Sequence, residues 1–120
     1  MKQFNPRRTG SARPEAKIQK ALVEFLTVKG WYVRETHGSA FSQGWPDLFI
    51  CHKVYGHRWV EVKLPGMKGS HYTAAQLECF PIFCTNGSPV WVLTGATKEE
   101  YNKLFKPFNW YKYLPDSGFL

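Results

Sequence analysis

Cysteine, histidine clusters and long apolar runs are scarce in this chain, and each shortage excludes a class of protein. The 120 residues include three cysteines and four scattered histidines. They form no CxxC motif and no paired Cys/His spacing, so a zinc site is not expected. No apolar run approaches the ~20 residues needed to cross a bilayer, so we expect no membrane partner. The odd cysteine count and the lack of a recognisable signal peptide predict reduced thiols and a cytoplasmic location.

Acidic residues are also few, and this imbalance points to a polyanionic partner. Nine Asp and Glu stand against sixteen Lys and Arg, which gives a net charge of +7. Nucleic acid is a common soluble polyanion, so the charge favours a nucleic-acid partner. The alternative is a basic protein that its charge merely keeps soluble. The length predicts one domain with one core.

The N-terminal part divides into a basic arm and a helix. Residues 1–14 carry Arg7, Arg8 and Arg13, so they either contact phosphates or form a solvated terminus. Pro14 is suited to the first position of a helix, which apolar spacing continues to Gly30. Glu15 lies in the first turn, where a carboxylate favours the helix dipole. A strand is predicted over residues 31–36.

The centre of the sequence is a predicted hairpin. Residues 45–50 and 59–64 are rich in β-branched and aromatic side chains, and residues 51–58 can close them. Side chains alternate along a strand, so Glu61 and Lys63 share a face, roughly 6.6–6.8 Å apart. Asp47 enters on the neighbouring strand. Two carboxylates and an ammonium therefore converge, which is enough to hold a divalent cation against a phosphate.

The C-terminal half alternates loops with regular elements. Residues 65–70 form a glycine-rich basic loop, which either lies on a sugar-phosphate backbone or is a simple link. Thr73 is a plausible N-cap for a second helix, in which Pro81 should cause a break or a kink. A last strand over residues 89–94 and a short helix over residues 97–104 follow.

The order of these elements defines the expected fold and domains. The order α-β-β-β-α-β-α predicts an α/β fold with a mixed four-stranded sheet flanked by helices. Residues 15–105 would form the domain, preceded by the flexible arm 1–14. The aromatic tail 106–120 should pack on the domain or on a second subunit, since so many aromatic rings are costly to expose.

The hairpin residues resemble a known superfamily. Pro46-Asp47, followed after a gap by Glu61-Val62-Lys63, resembles the PD-(D/E)XK nucleases, whose restriction-endonuclease-like core has the same order of elements. Further features resemble the VRR-NUC branch, which is similar in core to the archaeal Holliday junction resolvases. These features are Gly30-Trp31, Gly44-Trp45-Pro46-Asp47-Leu48, Gly69-Ser70 and Gln76. The resemblance covers residues 15–94.

The resemblance implies roles for the metal-binding and catalytic positions. Asp47 and Glu61 would bind Mg²⁺ or Mn²⁺, with the Val62 carbonyl as a further ligand. Lys63 would orient or help deprotonate the attacking water and offset charge on the phosphate. Glu15 matches an acid of the first helix, and Gln76 matches a glutamine of the second helix. Gln19 stands where some relatives carry a second acid, which leaves the number of metal ions open.

The predicted nucleic-acid contacts lie mainly outside the hairpin. The residues expected to contact nucleic acid are Arg7, Arg8, Arg13, Ser39 and Lys68. Of these, Ser39 is transferred from the resemblance, because it lies in the loop before the Pro-Asp pair. The structural alternative for the hairpin charges is a cross-strand salt-bridge cluster, which would stabilise the fold by only about 0.2–1 kcal/mol.

Three functions are compatible with these residues. The first is a Mg²⁺- or Mn²⁺-dependent endonuclease that cuts DNA at branches, flaps or Holliday junctions, acts as a homodimer and needs no small-molecule cofactor. The small size, without an obvious sequence-reading domain, favours recognition of DNA structure. The second is a restriction-like or transposon-end nuclease subunit. The third is a non-catalytic nucleic-acid binder of the same fold. A standalone nuclease of this size would suit a phage or a mobile element.

Overall fold

A computed structural model describes residues 13–36, 42–67 and 71–114 of the chain. The long elements, in chain order, are α1 (Ala16–Val28), β1 (Tyr32–Glu35), β2 (Leu48–His52), β3 (Gly56–Val62), α2 (Ala74–Thr85), β4 (Val90–Leu93) and α3 (Lys98–Asn102). Three short 3-10 segments cover Pro65–Met67, Lys103–Phe105 and Trp110–Tyr113. Within these described ranges no helix has the length and apolar character needed to cross a membrane.

The four strands form one mixed sheet in the order β1-β2-β3-β4. The first three strands are antiparallel neighbours, whereas β3 and β4 are parallel and α2 connects them. A parallel connection needs such a crossover, because a short turn cannot return the chain to the start of the next strand. The predicted α/β architecture with a mixed four-stranded sheet is confirmed.

Each face of the sheet carries its own apolar core. The core on the α1 face consists of Leu22, Leu26, Trp31, Leu48, Ile50, Val60, Val62, Leu93 and Leu104. The core on the α2 face consists of Phe80, Val90, Val92 and Trp110. Burial of these side chains is the main driving force for folding. Alternate residues of β3 and β4 serve opposite faces, as the period of two requires.

Two local predictions need correction. The hairpin strands extend further towards the turn than expected, so the connection is residues 53–55 instead of residues 51–58. Of the two outcomes predicted at Pro81, a break or a kink, the break does not occur, because α2 continues through this residue to Thr85. Pro81 is exposed, and the neighbouring Phe80 is fully buried. The packing of Phe80 and the N-terminal cap of α2 hold the helix despite the missing backbone donor.

The segment after α3 lies along the edge strand β4. The side-chain amide of Asn109 accepts a hydrogen bond from the Val92 backbone N–H (2.7 Å) and donates one to the Val92 carbonyl (3.1 Å). The Trp91 indole donates to the Lys106 carbonyl at 2.8 Å. Trp110 is buried in the α2-face core. Residues 106–114 thus pack on the body, and the rest of the predicted tail lies outside the described residues.

Candidate active site

Two neighbouring strands bring the carboxylates of Asp47 and Glu61 together. Leu48 pairs with Val60 in the β2–β3 ladder, so Asp47, one residue before β2, lies opposite Glu61. The Asp47 backbone N–H donates to Glu61 Oε1 at 3.1 Å, and the Val62 N–H donates to Asp47 Oδ2 at 2.8 Å. A backbone N–H of the neighbouring segment therefore fixes each carboxylate, at the point where the pairing of β2 with β3 ends.

The segment that leads into Asp47 contacts two other parts of the chain, Thr36 and the start of α2. Thr36 donates its backbone N–H to the Asp47 carbonyl (2.9 Å) and its hydroxyl to the Pro46 carbonyl (2.5 Å). On the other side Gly44 lies against α2 with a positive φ of 82°. A Cβ atom at Gly44 would come within 2.7 Å of the Ala75 carbonyl oxygen, so only glycine permits this approach.

Glu61 lies in an environment that disfavours its charge. Its side chain is buried, with 2% relative exposure. Burial, followed by repulsion from Asp47, raises the pKa of Glu61 to about 8, although Lys63 and Gln76 partly oppose this shift. A nearby cation stabilises the ionised form of such a carboxylate, because its positive charge offsets both the burial of Glu61 and the repulsion from Asp47.

Lys63 follows β3 directly and is the buried cation of the site. Its backbone N–H donates to the Leu93 carbonyl at 3.1 Å, which fixes the chain after the strand ends. The ammonium nitrogen lies 3.1 Å from Glu61 Oε2 and donates to the His71 carbonyl at 2.7 Å. It also lies 5.0 Å from the centre of the Tyr72 ring. These contacts hold the otherwise flexible Lys63 side chain in one orientation.

Tyr72 and His71 also belong to the site, although neither was among the residues predicted from the sequence. Burial, and then the nearby Glu61, raises the pKa of the Tyr72 hydroxyl, so it remains a phenol. That hydroxyl donates to the Trp110 carbonyl at 2.7 Å. Tyr72 therefore connects the ammonium of Lys63 to the C-terminal segment. Nothing in the spacing of these two residues marks them before the chain is folded.

Gln76 connects the start of α2 to the buried carboxylate. Its Oε1 atom accepts a hydrogen bond from the Thr73 backbone N–H (3.0 Å), while the Thr73 hydroxyl accepts one from the Gln76 N–H (3.1 Å). This is a capping box. The other end of the same amide, Nε2, donates to Glu61 Oε2 at 2.8 Å. One side chain thus caps the helix and orients a predicted ligand.

A second polar chain reaches the site from α1. Arg13 donates to Asp47 Oδ1 (3.4 Å) and to Gln19 Oε1 (2.6 Å), and Gln19 Nε2 donates to Glu35 Oε1 (2.7 Å). Gln19 is buried, with 2% relative exposure. The sequence placed Arg13 in a basic arm, whereas its guanidinium contacts a predicted metal ligand. Helical spacing brings Gln19 to the same side as Glu15, one turn away.

The remaining predicted site residues are distributed as follows. Glu15 is half-buried and stands immediately before α1, where its carbonyl accepts from the Gln19 N–H at 2.8 Å. Arg7, Arg8, Ser39 and Lys68 lie outside the described residues, so their predicted contacts with nucleic acid stay predictions. In the described part of the chain, no group of three or more His, Cys, Asp or Glu side chains could hold a metal ion.

The donor set that is present still fits one hard divalent cation. Asp47 and Glu61 supply two carboxylates, and the Val62 backbone is hydrogen-bonded to one of them. Mg²⁺ typically binds one or two carboxylates and completes its octahedron with waters and substrate phosphates. A third protein carboxylate is therefore unnecessary for Mg²⁺.

Among the comparisons with known proteins, one with a solved structure bears on the fold. No family model matches the sequence, and no curated protein matches it. A solved structure described as a VRR_NUC domain is similar, with a TM-score of 0.56 and 25% sequence identity. The match covers 77% of this chain and 95% of that structure. The α/β architecture is thus the restriction-endonuclease-like fold, and its similarity to a VRR_NUC domain is the one that the sequence motifs predicted.

Proposed function

We propose that this protein is a metal-dependent endonuclease that hydrolyses DNA phosphodiester bonds, with selectivity for branched DNA. The observation that carries the proposal is the buried cluster in which the Asp47 and Glu61 carboxylates face each other beside the Lys63 ammonium. The fold that holds this cluster is also that of a VRR_NUC domain, whose name describes a nuclease. A structural salt bridge alone would not need a buried, mutually repelling carboxylate pair.

The cation is proposed to bind between the two carboxylates. Asp47 and Glu61 would hold Mg²⁺ or Mn²⁺, and the Val62 carbonyl and Glu15 are the further ligands implied by the family resemblance. When bound, the ion supplies a polarised water and stabilisation of negative charge on the phosphate. Arg13 contacts one oxygen of Asp47, so its guanidinium has to share that carboxylate with the ion or move away.

The protein's own residues would orient the reaction. Lys63, fixed by the His71 carbonyl and Glu61, holds a positive charge near the position of the phosphate and can donate a hydrogen bond to the attacking water. Gln76 keeps Glu61 Oε2 in a fixed direction. Burial of these groups strengthens their electrostatic effect on a charged transition state, because the surroundings screen charge weakly.

Branched DNA is the proposed substrate because the chain is small and basic. The net charge of +7 favours sequence-independent phosphate contacts, and such contacts position a protein without reading bases. Cleavage of both strands of a symmetric junction requires two sites, so a homodimer is part of the proposal. A restriction-like or transposon-end subunit would instead give discrete fragments from a random-sequence plasmid.

The test is cleavage of a labelled four-way junction beside its matched linear duplex, with Mg²⁺, with Mn²⁺ and with EDTA. We expect cleavage of the junction that depends on the metal. Asp47→Asn and Glu61→Gln should abolish cleavage and retain junction binding, because both substitutions keep the shape of the side chain and remove the carboxyl group that would bind the cation. Cleavage by both variants at the wild-type rate would contradict the site. Calorimetric titration with Mn²⁺ shows whether an inactive variant has lost metal binding, or still binds the metal and has lost the geometry needed for cleavage.

A further inference from the structure

The face of the sheet that carries Glu61 also carries two half-buried rings beside an exposed arginine. Arg34, Phe49 and Trp59 are direct neighbours across β1, β2 and β3, so their side chains share one face. The rings of Phe49 and Trp59 meet edge to face at 5.0 Å. The next row holds Tyr32, Cys51 and His57, and the imidazole of His57 stacks on Phe49 at 5.9 Å.

Trp45 completes this surface next to the active site. Its ring lies 5.7 Å from the ring of Trp59 and 5.8 Å from that of Phe83, both edge to face. Trp45 keeps 41% of its surface exposed, and Tyr32 keeps 55%. The stacking platform is defined here as Tyr32, Arg34, Trp45, Phe49, His57 and Trp59.

The stacking platform lies next to the buried carboxylates on the same face of the sheet. Trp59 lies two residues before Glu61 on β3, roughly 6.6–6.8 Å away along the strand. Trp45 lies two residues before Asp47, at most about 7 Å along the chain. A strand with a phosphodiester at the carboxylates would therefore carry its next nucleotides over these rings.

The charges on this surface suit the same occupant. Arg34 donates through Nε (3.3 Å) and Nη2 (3.1 Å) to the Tyr32 hydroxyl, so its guanidinium is held beside the rings. Glu35 follows it in sequence but points to the other face, where Gln19 donates to its carboxylate. Rings with an adjacent cation are the usual surface for single-stranded nucleic acid, because bases stack on the rings while the cation contacts phosphate.

We propose that the stacking platform binds the unpaired nucleotides of a DNA strand next to the phosphodiester held at Asp47 and Glu61. The inference rests on the proposed nuclease function and adds a specificity to it. A paired base has its faces covered by its neighbours, whereas an unpaired base is available to stack on Trp45. The stacking platform would thus favour DNA with frayed, flapped or otherwise unpaired nucleotides beside the cut.

The test measures binding in EDTA, where no cleavage occurs, by the fluorescence polarisation of a labelled oligothymidylate and of a blunt-ended duplex. The key variants are Trp45→Leu and Trp45→Phe, since both keep an apolar side chain against Trp59 and Phe83. Only Trp45→Phe keeps a ring. The matched control is Tyr111→Ala, which removes a ring of similar exposure, 48%, from the C-terminal segment. Thermal unfolding checks that each variant is folded.

We expect Trp45→Leu to weaken oligothymidylate binding by about 5- to 150-fold, the usual effect of losing one stacked base. Trp45→Phe should retain most of the affinity, and neither variant should change duplex binding. Arg34→Ala should reduce the slope of log K against log salt by about 0.7, the contribution of one phosphate contact on a single strand. Lys98→Ala, which removes an exposed cation of α3, is the control for charge, and its salt slope should stay close to that of wild type.

Several results would overturn the inference. Equal loss of affinity in Trp45→Leu and Tyr111→Ala, or equal loss on both DNAs, would do so. So would a change in oligomeric state of Trp45→Leu with unchanged oligothymidylate binding, which would identify a contact between copies. Wild-type junction cleavage with normal binding by Trp45→Leu would overturn the stacking platform and leave the nuclease intact. Failure of the wild type to bind or cut any DNA would overturn both.

Discussion

Glu61 receives a hydrogen bond or an ion-pair contact from three residues, and these contacts hold its carboxylate in place. The Asp47 N–H donates to one oxygen, while Gln76 and the Lys63 ammonium share the other. Asp47, just before β2, and Gln76 of α2 therefore both determine the direction of one carboxylate. The consequence is that the position of a bound cation depends on residues that would not themselves touch it.

The raised pKa of Glu61 predicts how the stability of the metal-free protein depends on pH. The folded chain holds this proton to about pH 8, whereas the unfolded chain releases it near 4.5. The contribution to the free energy of unfolding is thus complete below 4.5 and is lost as the pH rises through 8. Its slope is at most about 1.4 kcal/mol per pH unit. Urea unfolding in EDTA should show this decline, and Glu61→Gln should remove it. If the stabilities of wild type and of Glu61→Gln declined in parallel with pH, the assignment of the raised pKa to Glu61 would be wrong.

Gln76 has two functions that a pair of variants can separate. Thr73→Ala and Gln76→Ala each break the capping box, so each should lower the free energy of unfolding by about 0.5–2 kcal/mol. Only Gln76→Ala also removes the donor to Glu61 Oε2. We therefore expect junction cleavage to fall in Gln76→Ala and to stay near wild type in Thr73→Ala, when both are assayed below their melting temperatures. Equal activities would limit Gln76 to the helix cap.

At the scale of elements, the sequence predicted the hairpin that matters most. Strand alternation was enough to put Glu61 and Lys63 on one face, and the neighbouring strand supplied Asp47. The helix cap at Thr73 was predicted as well. The contacts of Arg13 and Tyr72 could not be, because they join segments that only the folded chain brings together. The break that the sequence allowed at Pro81 does not occur, because packing of the same helix overrides the local propensity of proline.

The loop that delivers Asp47 depends on its close approach to α2 at Gly44. Gly44→Ala combines a positive φ with a Cβ 2.7 Å from the Ala75 carbonyl oxygen, whereas Gly87→Ala has a similar φ in open space. Gly87→Ala should cost about 1–2 kcal/mol of stability. Gly44→Ala should cost more and should also reduce cleavage, since the loop has to move away from α2. Thermal unfolding and junction cleavage test both variants, and equal effects would rule out the packing argument.

At the scale of the whole molecule, the C-terminal segment completes the sheet at its β4 edge. Asn109 bonds both backbone groups of Val92, so Asn109→Ala leaves a buried N–H and C=O without these partners. We expect a loss of about 1–3 kcal/mol in urea unfolding. Asn102→Ala, on the exposed surface of α3, is the control and should stay within about 0.5 kcal/mol of wild type. Similar stabilities for the two variants would contradict this role of Asn109.

The amide of Asn109 imitates the peptide group of a fifth strand, and this has a consequence for assembly. Edge strands are where sheets of separate molecules join, because their backbone groups can accept another chain. At Val92 those groups are already engaged within the same molecule. A second copy that tried to extend the sheet across β4 would first have to displace Asn109, so an intramolecular side chain discourages polymerisation at this edge.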